Sequence, residues 1–264
     1  MHYEAHRNLV PLDTLFMHGN VASNLWWDPA LLCWERRRDR RVEFSDAQPH
    51  GGALIFAEWR GCGKSSGPSS EAELEFSVLA RDYIELLDSL GVQKANLVAH
   101  STGALIALHA MKLEPGLFHR VVLLDPPPAR GVEVSQEARM AFIELSRSRD
   151  ALKEVIGQAV GRSDDEPSFF ETLVDHALGA HPVIWAGILK VIGRVDLVAD
   201  LPRIAQPTLV LHGERDPVLP ISGAMEIGGL LPEGRFQLLN GQGHSCQIEN
   251  PERFVDLADH FLFG

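Results

Sequence analysis

The sequence predicts an α/β fold: a mostly parallel sheet of about seven strands, with helices on both faces and a helical cap inserted late in the sheet. Three observations carry that expectation. Short apolar runs alternate with longer helical patterns along most of the chain. The runs are apolar throughout rather than at every second residue, as strands covered on both faces are. The alternation stops once, between Asp125 and Pro207, where only helical spacing is found.

The strand candidates, in order, are Leu12–Met17, Ala53–Ala57, Asn96–Ala99, Val121–Leu124, Thr208–Leu211 and Phe236–Leu239. About ten residues precede the first of them, which leaves room for one more strand near Tyr3–Asn8 and not for two. Helices are expected near Asn24–Arg37, Glu71–Leu90, Thr102–Leu113, Ser222–Leu230 and Pro251–Phe261. Their ends are marked by breakers: Gly91 after Leu90, and Pro115-Gly116 after Glu114. After Pro126-Pro127-Pro128 the apolar spacing becomes helical, as in Leu152/Val155/Ile156 and Ile184/Ile188/Leu189/Ile192. The expected division is a core of residues 1–126 and 201–264, with residues 127–200 as a helical cap over the strand ends.

The 264 residues include 24 Lys and Arg against 36 Asp and Glu, a formal charge of −12. That balance argues against nucleic acid as a partner, and one basic run at Arg36–Arg41 reads as a solvated helix end. Cys33, Cys62 and Cys246 are odd in number and form no Cys-x-x-Cys pair, so neither a disulfide framework nor a zinc site is expected. Met1–Arg7 is polar where a signal peptide would be apolar. The most apolar stretch, Ala95–Leu113, is broken by His100, Ser101, Thr102 and His109, so no membrane span is expected. A cytoplasmic location follows as an expectation. Gly61-Cys62-Gly63-Lys64-Ser65 ends like a phosphate loop, but Glu58 stands where that motif requires its first glycine.

The informative stretch is Asn96-Leu97-Val98-Ala99-His100-Ser101-Thr102-Gly103-Ala104-Leu105. A serine follows a buried strand and opens an apolar helix, with small residues two positions before and after it. A turn that sharp lifts the serine oxygen above the sheet edge and sets free helix N–H groups beneath it. The same serine also suits an ordinary helix N-cap. Two further strand ends favour the nucleophile. His212-Gly213-Glu214-Arg215-Asp216-Pro217 carries an acid, and Asn240-Gly241-Gln242-Gly243-His244 carries a histidine. Open parallel sheets place their ligands at such ends, and the order serine, acid, histidine is that of one triad architecture.

On these residues the chain resembles the α/β-hydrolase family over nearly its whole length. Ala99-His100-Ser101-Thr102-Gly103 matches the family's Gly-x-Ser-x-Gly elbow with Ala at the first position. Met17-His18-Gly19-Asn20 resembles its His-Gly loop, and Arg60-Gly61-Cys62-Gly63-Lys64-Ser65 its Arg-Gly-x-Gly-x-Ser turn, with Glu58 in place of the usual Asp before it. The resemblance implies Ser101 as nucleophile, His244 as general base, Asp216 as acid, and the backbone N–H groups of Asn20 and Thr102 as oxyanion donors. It implies no cofactor and no metal. The partner is a small-molecule acyl substrate, with a carboxylic ester as the default bond. Thioesterase, lactonase, carbon–carbon bond hydrolase and perhydrolase share the elbow, and a non-catalytic binding protein shares the fold. A serine at the elbow argues against dehalogenase and epoxide hydrolase chemistry, which needs an aspartate there. A lyase of hydroxynitrile type would need a cation from the cap, where the lysines are Lys153 and Lys190.

The remaining candidates carry two readings each. Trp26, Trp27 and Trp185 suit either an acyl pocket or plain packing. His100 is expected to pack in the elbow with its side chain away from Ser101. Cys246 lies two residues from His244, but no third metal ligand is spaced for it. Asp125 also ends a strand and competes with Asp216 for the role of acid. Three prolines stiffen the chain after it, whereas Gly213 allows a tight turn before Asp216, so Asp216 is preferred.

Overall fold

The computed structural model describes residues 1–43, 51–161 and 167–264, with the side chains of residues 38–43 outside the description. Seven strands form one sheet: β1 (His2–Val10), β2 (Thr14–Met17), β3 (Gly52–Glu58), β4 (Ala95–His100), β5 (Phe118–Leu124), β6 (Thr208–Gly213) and β7 (Gly234–Leu239). They lie in the order β1-β3-β2-β4-β5-β6-β7. Only β1 runs antiparallel, paired with β3 from His2 opposite Glu58 to Val10 opposite Gly52. The expected sheet of about seven strands is therefore what forms.

Every residue of β2, β3, β4 and β6 is buried. That explains the unbroken apolar runs, because helices cover both faces of these strands. One face carries α2 (Phe76–Ser89), α3 (Thr102–Leu113) and α8 (Ile221–Leu230), packed through Leu79, Tyr83, Leu105, Leu108 and Ile227. The other carries α1 (Asp28–Glu43) and α10 (Pro251–Phe263), packed through Trp34, Phe254 and Ala258. The edge strand β1 is mostly exposed, and its pairing shifts between Arg7 and Val10, where Asn8 takes φ +61°. Such a bulge blunts an edge against pairing with other chains. Strand β1 is longer than the sequence pattern indicated, since polar residues on both its faces hide the period of two.

Two helix boundaries differ from expectation. A 3₁₀ turn at Asn24–Trp27 precedes α1, and another at Glu71–Leu74 is separated from α2 by Glu75, whose ψ of 132° cannot continue a helix. In the basic run, Arg36 lies 3.7 Å from Glu252 and Arg37 pairs with Asp256 of α10; the side chains of the remaining arginines lie outside the described residues. No helix among the described residues is long and apolar enough to cross a membrane.

Between β5 and β6 the chain forms α4 (Gln136–Leu145), α5 (Arg149–Ala159), α6 (Pro167–Leu178) and α7 (Pro182–Ile192). The starts of α4 and α5 are capped by Ser135 and Ser148, whose hydroxyls accept from Ala138 N at 3.1 Å and Ala151 N at 3.3 Å. Leu152, Ile156, Phe170, Leu173 and Trp185 of these helices share one cluster with Ala22 and Trp26, which follow β2. Helix α7 is tied to the turn after β3, where Gly61 O accepts from His181 N at 2.8 Å. The helical segment thus packs on the chain that leaves the carboxyl ends of β2 and β3.

Candidate active site

Strand β4 delivers Ser101 to the sheet edge. Its φ of +52° lies in a region that non-glycine residues rarely adopt, and the strain is held by Ser101 N donating to Leu124 O at 2.9 Å. Helix α3 starts at the next residue. It can approach β2 closely because position 103 is glycine: a Cβ there would lie 2.6 Å from the His18 carbonyl oxygen. Gly19 is also close, though less tightly, since its Cβ would stand 3.1 Å from the Ser101 Cβ. The Gly19-Asn20 loop and the first turn of α3 therefore flank the serine together. His18 beneath that loop is buried, with Nδ1 2.8 Å from the Gly19 carbonyl oxygen and 3.1 Å from Trp59 Nε1. Burial pushes its pKa down to about 4, which keeps the ring neutral.

His244 Nε2 lies 3.0 Å from Ser101 Oγ, and its Nδ1 lies 2.7 Å from Asp216 Oδ2. The acid's other oxygen, Oδ1, accepts from Val218 N at 2.7 Å and Leu219 N at 3.0 Å. Burial pushes the Asp216 carboxyl up, but the bond from His244 and the two amides outweigh it, and its pKa falls below the usual value. Asp216 is thus the anionic partner of the imidazole. Asp125 does not reach that ring. Its Oδ1 accepts from Gly213 N at 2.8 Å, and burial pushes its pKa well above the carboxylate range.

A cavity of about 160 Å³ opens on Ser101 and His244. Its walls are Gly19, Asn20 and Trp26 on the sheet side, and Phe142, Leu152 and Ile156 on the helical side. A larger open groove of about 490 Å³ lies elsewhere, beside Tyr3, Arg60 and Asp82. Its cation is already satisfied, since Arg60 bonds Asp82 and Glu73, and no residue of the serine–histidine pair borders it.

A serine at a strained strand-to-helix turn, in line with a histidine and an acid on the ends of later parallel strands, is the arrangement the family resemblance implied. A family model described as the alpha/beta hydrolase family matches residues 14–257. The chain belongs to the alpha/beta hydrolase family. It is 24% identical to a 2-hydroxymuconate semialdehyde hydrolase of Pseudomonas sp. strain CF600, over 94% of this chain and 86% of that protein. The esterase of Exiguobacterium antarcticum superposes with a TM-score of 0.82 at 20% identity, covering 100% of this chain and 95% of its own. The enol-lactonase of Burkholderia xenovorans LB400 gives the same TM-score and identity, covering 100% and 96%.

In this alpha/beta hydrolase the three tryptophans take different places. Trp26 lines the cavity. Trp27 does not: it packs edge-on against Phe16 in the cluster with Trp34 and Phe254, because consecutive residues of the 3₁₀ turn point different ways. Trp185 is also absent from the cavity wall and stands behind it, its ring 4.8 Å from that of Phe142. His100 packs in the elbow beside the cavity: it is buried, its ring stacks 5.9 Å from that of Trp26 and lies 4.9 Å from the His244 ring, and its Nε2 meets the His244 carbonyl at 2.8 Å. Burial, and the neighbouring His244, push its pKa down to about 3, so the ring is neutral and Nε2 carries the proton that the carbonyl accepts.

Glu58, which stands where the family usually has Asp, is used structurally. Its carboxylate accepts from Asn24 N at 3.2 Å and Lys64 N at 2.7 Å, tying the loop after β2 to the turn after β3. The longer side chain is accommodated by Gly63, at φ +52°, whose missing Cβ leaves its space to the carboxylate. Neither Lys153 nor Lys190 lines the cavity: Lys153 pairs with Glu171, and Lys190 with Glu71 at 2.7 Å. A lyase relying on such a cation has no support among the described residues. Asp125, His212 and Asp216 offer ligand atoms within 4.8 Å of one another, as do His100, Asp125 and His244. Asp125 Oδ1 and Asp216 Oδ2 already accept hydrogen bonds, and Cys246 belongs to neither group. Burial pushes the Cys246 thiol up to about 12, which leaves it a poor ligand.

Proposed function

We propose that this protein is a carboxylesterase-like serine hydrolase acting on a small, partly hydrophobic acyl substrate. The observation that carries the reading is the 3.0 Å and 2.7 Å relay from Ser101 through His244 to Asp216, opening on an apolar cavity. Ser101 Oγ attacks the acyl carbon while its proton passes to His244 Nε2. Asp216, bonded to Nδ1, fixes the tautomer and stabilises the imidazolium. The carbonyl oxygen, now an anion, takes hydrogen bonds from the backbone N–H groups of Asn20 and Thr102. His244 returns its proton to the departing alcohol oxygen, leaving an acyl-serine. Water then adds to the acyl carbon, losing a proton to His244, and the acid leaves as Ser101 recovers its hydrogen.

Residues 127–200 serve as the cap, with α4 and α5 closing the cavity over the acyl group. At about 160 Å³ the space is below the ~300–1,000 Å³ usual for drug-sized ligands, which supports a short acyl part. The likeness in fold to a named esterase and a named enol-lactonase is compatible with cleavage of a carbonyl–oxygen bond. Buried free cysteines support a cytoplasmic location.

The test is a screen of p-nitrophenyl esters from acetate to laurate, alongside thioesters and lactones, with Ser101→Ala as control. Short esters should turn over fastest, Ser101→Ala should be inactive, and a fluorophosphonate should label Ser101 alone. Labelling at another residue, or full activity without Ser101, would remove the nucleophile assignment.

A further inference from the structure

The histidine loop is held by a carboxylate that plays no part in the chemistry above. We propose that Glu249 is a positioning residue, which keeps His244 in register with Ser101 and so sets turnover. The proposal rests on the Ser101–His244–Asp216 reading.

Residues Asn240–Ser245 form a glycine-rich connection, with Gly241 at φ +77°. Such a segment has much conformational freedom to lose, so it does not hold a side chain in place by itself. Glu249 ends α9 (Cys246–Glu249), the short helix that follows the loop, and its carboxylate turns back over it. Gly243 N–H donates to Oε2 at 2.7 Å, and Ser245 N–H donates to Oε1 at 3.1 Å. The two amides on either side of the histidine thus share one carboxylate. The approach is close enough that a Cβ on Gly243 would stand 2.8 Å from Oε1. From the other side the His244 carbonyl accepts from His100 Nε2 at 2.8 Å. Three hydrogen bonds therefore fix the backbone around one side chain, and none of them uses its ring.

Bonds to a charged acceptor are about twice as strong as neutral ones. The turn at Gly161 also lies on the Glu249 side chain, where a Cβ would be 3.0 Å away. The imidazole must meet Ser101 and Asp216 at once, and reacting groups tolerate displacements of only ~0.5 Å. Loss of one such support, with a shift of about 1 Å, costs roughly 100-fold in rate.

The experiment compares kcat per titrated active site in wild type, Glu249→Ala, Glu249→Gln and Glu252→Gln. Glu252 is an exposed carboxylate nearby, at 71% exposure, and its variant should match wild type. Glu249→Ala should lower kcat roughly 10- to 100-fold with KM within about twofold. Glu249→Gln keeps one acceptor oxygen and should recover part of the loss. It also carries the test if the alanine variant does not fold. The Nδ1–H proton resonance of His244 should broaden or shift in the Glu249 variants and stay sharp in Glu252→Gln. Unchanged kcat per site, a loss confined to KM, or an unaltered His244 resonance would each overturn the proposal. The resonance does not depend on turnover, so it separates this proposal from the reading it rests on: active Ser101→Ala protein would remove the nucleophile while the resonance still decides Glu249.

Discussion

Asp125 and Asp216 stand at the carboxyl ends of neighbouring parallel strands, β5 and β6, yet the fold gives them opposite electrostatic states. Asp125 is fully buried and takes φ +46°; one oxygen accepts from Gly213 N, and the other has no hydrogen-bond partner. With one neutral donor to offset the loss of water, its protonated form is favoured. Asp216 is almost as deeply buried in its side chain, at 1% exposure, but receives bonds from Val218 N, Leu219 N and His244 Nδ1. Three donors keep it ionised. A strand-end position in the sheet therefore does not make a residue the acid; the loop that folds donors around it does. His212 stands between the two, with Nδ1 3.4 Å from Asp125 and Nε2 3.7 Å from Asp216. Burial holds its pKa below the ordinary value, so it adds no charge to bias either carboxyl.

The largest test of this contrast is catalytic. Asp216→Asn should lower turnover by roughly three to four orders of magnitude, the scale seen when a triad acid loses its charge and misdirects the histidine tautomer. Asp125→Asn should cost less than about tenfold, because its amide can still accept from Gly213 N. Steady-state kinetics on a p-nitrophenyl ester, with circular dichroism to show that both variants fold, decides the matter. The reverse ranking would make Asp125 the acid.

Much of this was legible in the sequence because the physics leaves local marks. Strands covered on both faces must be apolar throughout, so Ala53–Ala57 and Thr208–Leu211 were visible as runs. The elbow showed because the turn needs small residues around Ser101, and the glycine before Asp216 pointed to the carboxylate that bonds His244. Contacts between distant backbone and side chains leave no such mark. Glu249 acts on main-chain N–H groups, which every residue but proline carries, so nothing in the pattern singled it out, and Glu58 was noticed only for its place in a motif and not for the two amides it binds. The choice between pocket and packing for Trp27 was open for another reason: a side chain in a 3₁₀ turn departs from regular periodicity, and its direction is set by packing.

A second, smaller effect should appear in stability against pH. Asp125 has a raised pKa in the folded protein and an ordinary one, near 3.9, when unfolded. As pH rises above that value, the unfolded chain releases the proton while the folded one keeps it. Stability from this group is thus full below about pH 4 and falls by up to ~1.4 kcal/mol per pH unit above it. Asp125→Asn removes the term, so urea unfolding should show the variant gaining on wild type from pH 4 upward. Asp216 is lowered on folding, and its contribution has the other sign: present above about pH 4 and lost as pH falls through its folded value. Asp216→Asn should therefore lose ground to wild type as pH rises to 4. Difference curves tilting the same way for both variants would erase the distinction between the two acids.

The smallest expected effect is also the sharpest. If Asp125 were a reserve acid, it would matter most when Asp216 has lost its charge, and the slow Asp216→Asn enzyme would depend on it. The geometry opposes that role. Asp125 spends Oδ1 on Gly213 N, and turning toward His244 would leave that buried amide without an acceptor, at a cost of about 1–3 kcal/mol. Ionising it as well would put a charge where burial disfavours one. Asp125→Asn should then change turnover by the same factor in wild type and in Asp216→Asn, with a coupling below about 0.5 kcal/mol, or roughly twofold. The four proteins of this double-mutant cycle need only kcat/KM on one ester, corrected for folded fraction. A residual rate in Asp216→Asn that falls tenfold further on adding Asp125→Asn would show that β5 supplies a working substitute, and that the two strand ends differ in degree rather than in kind.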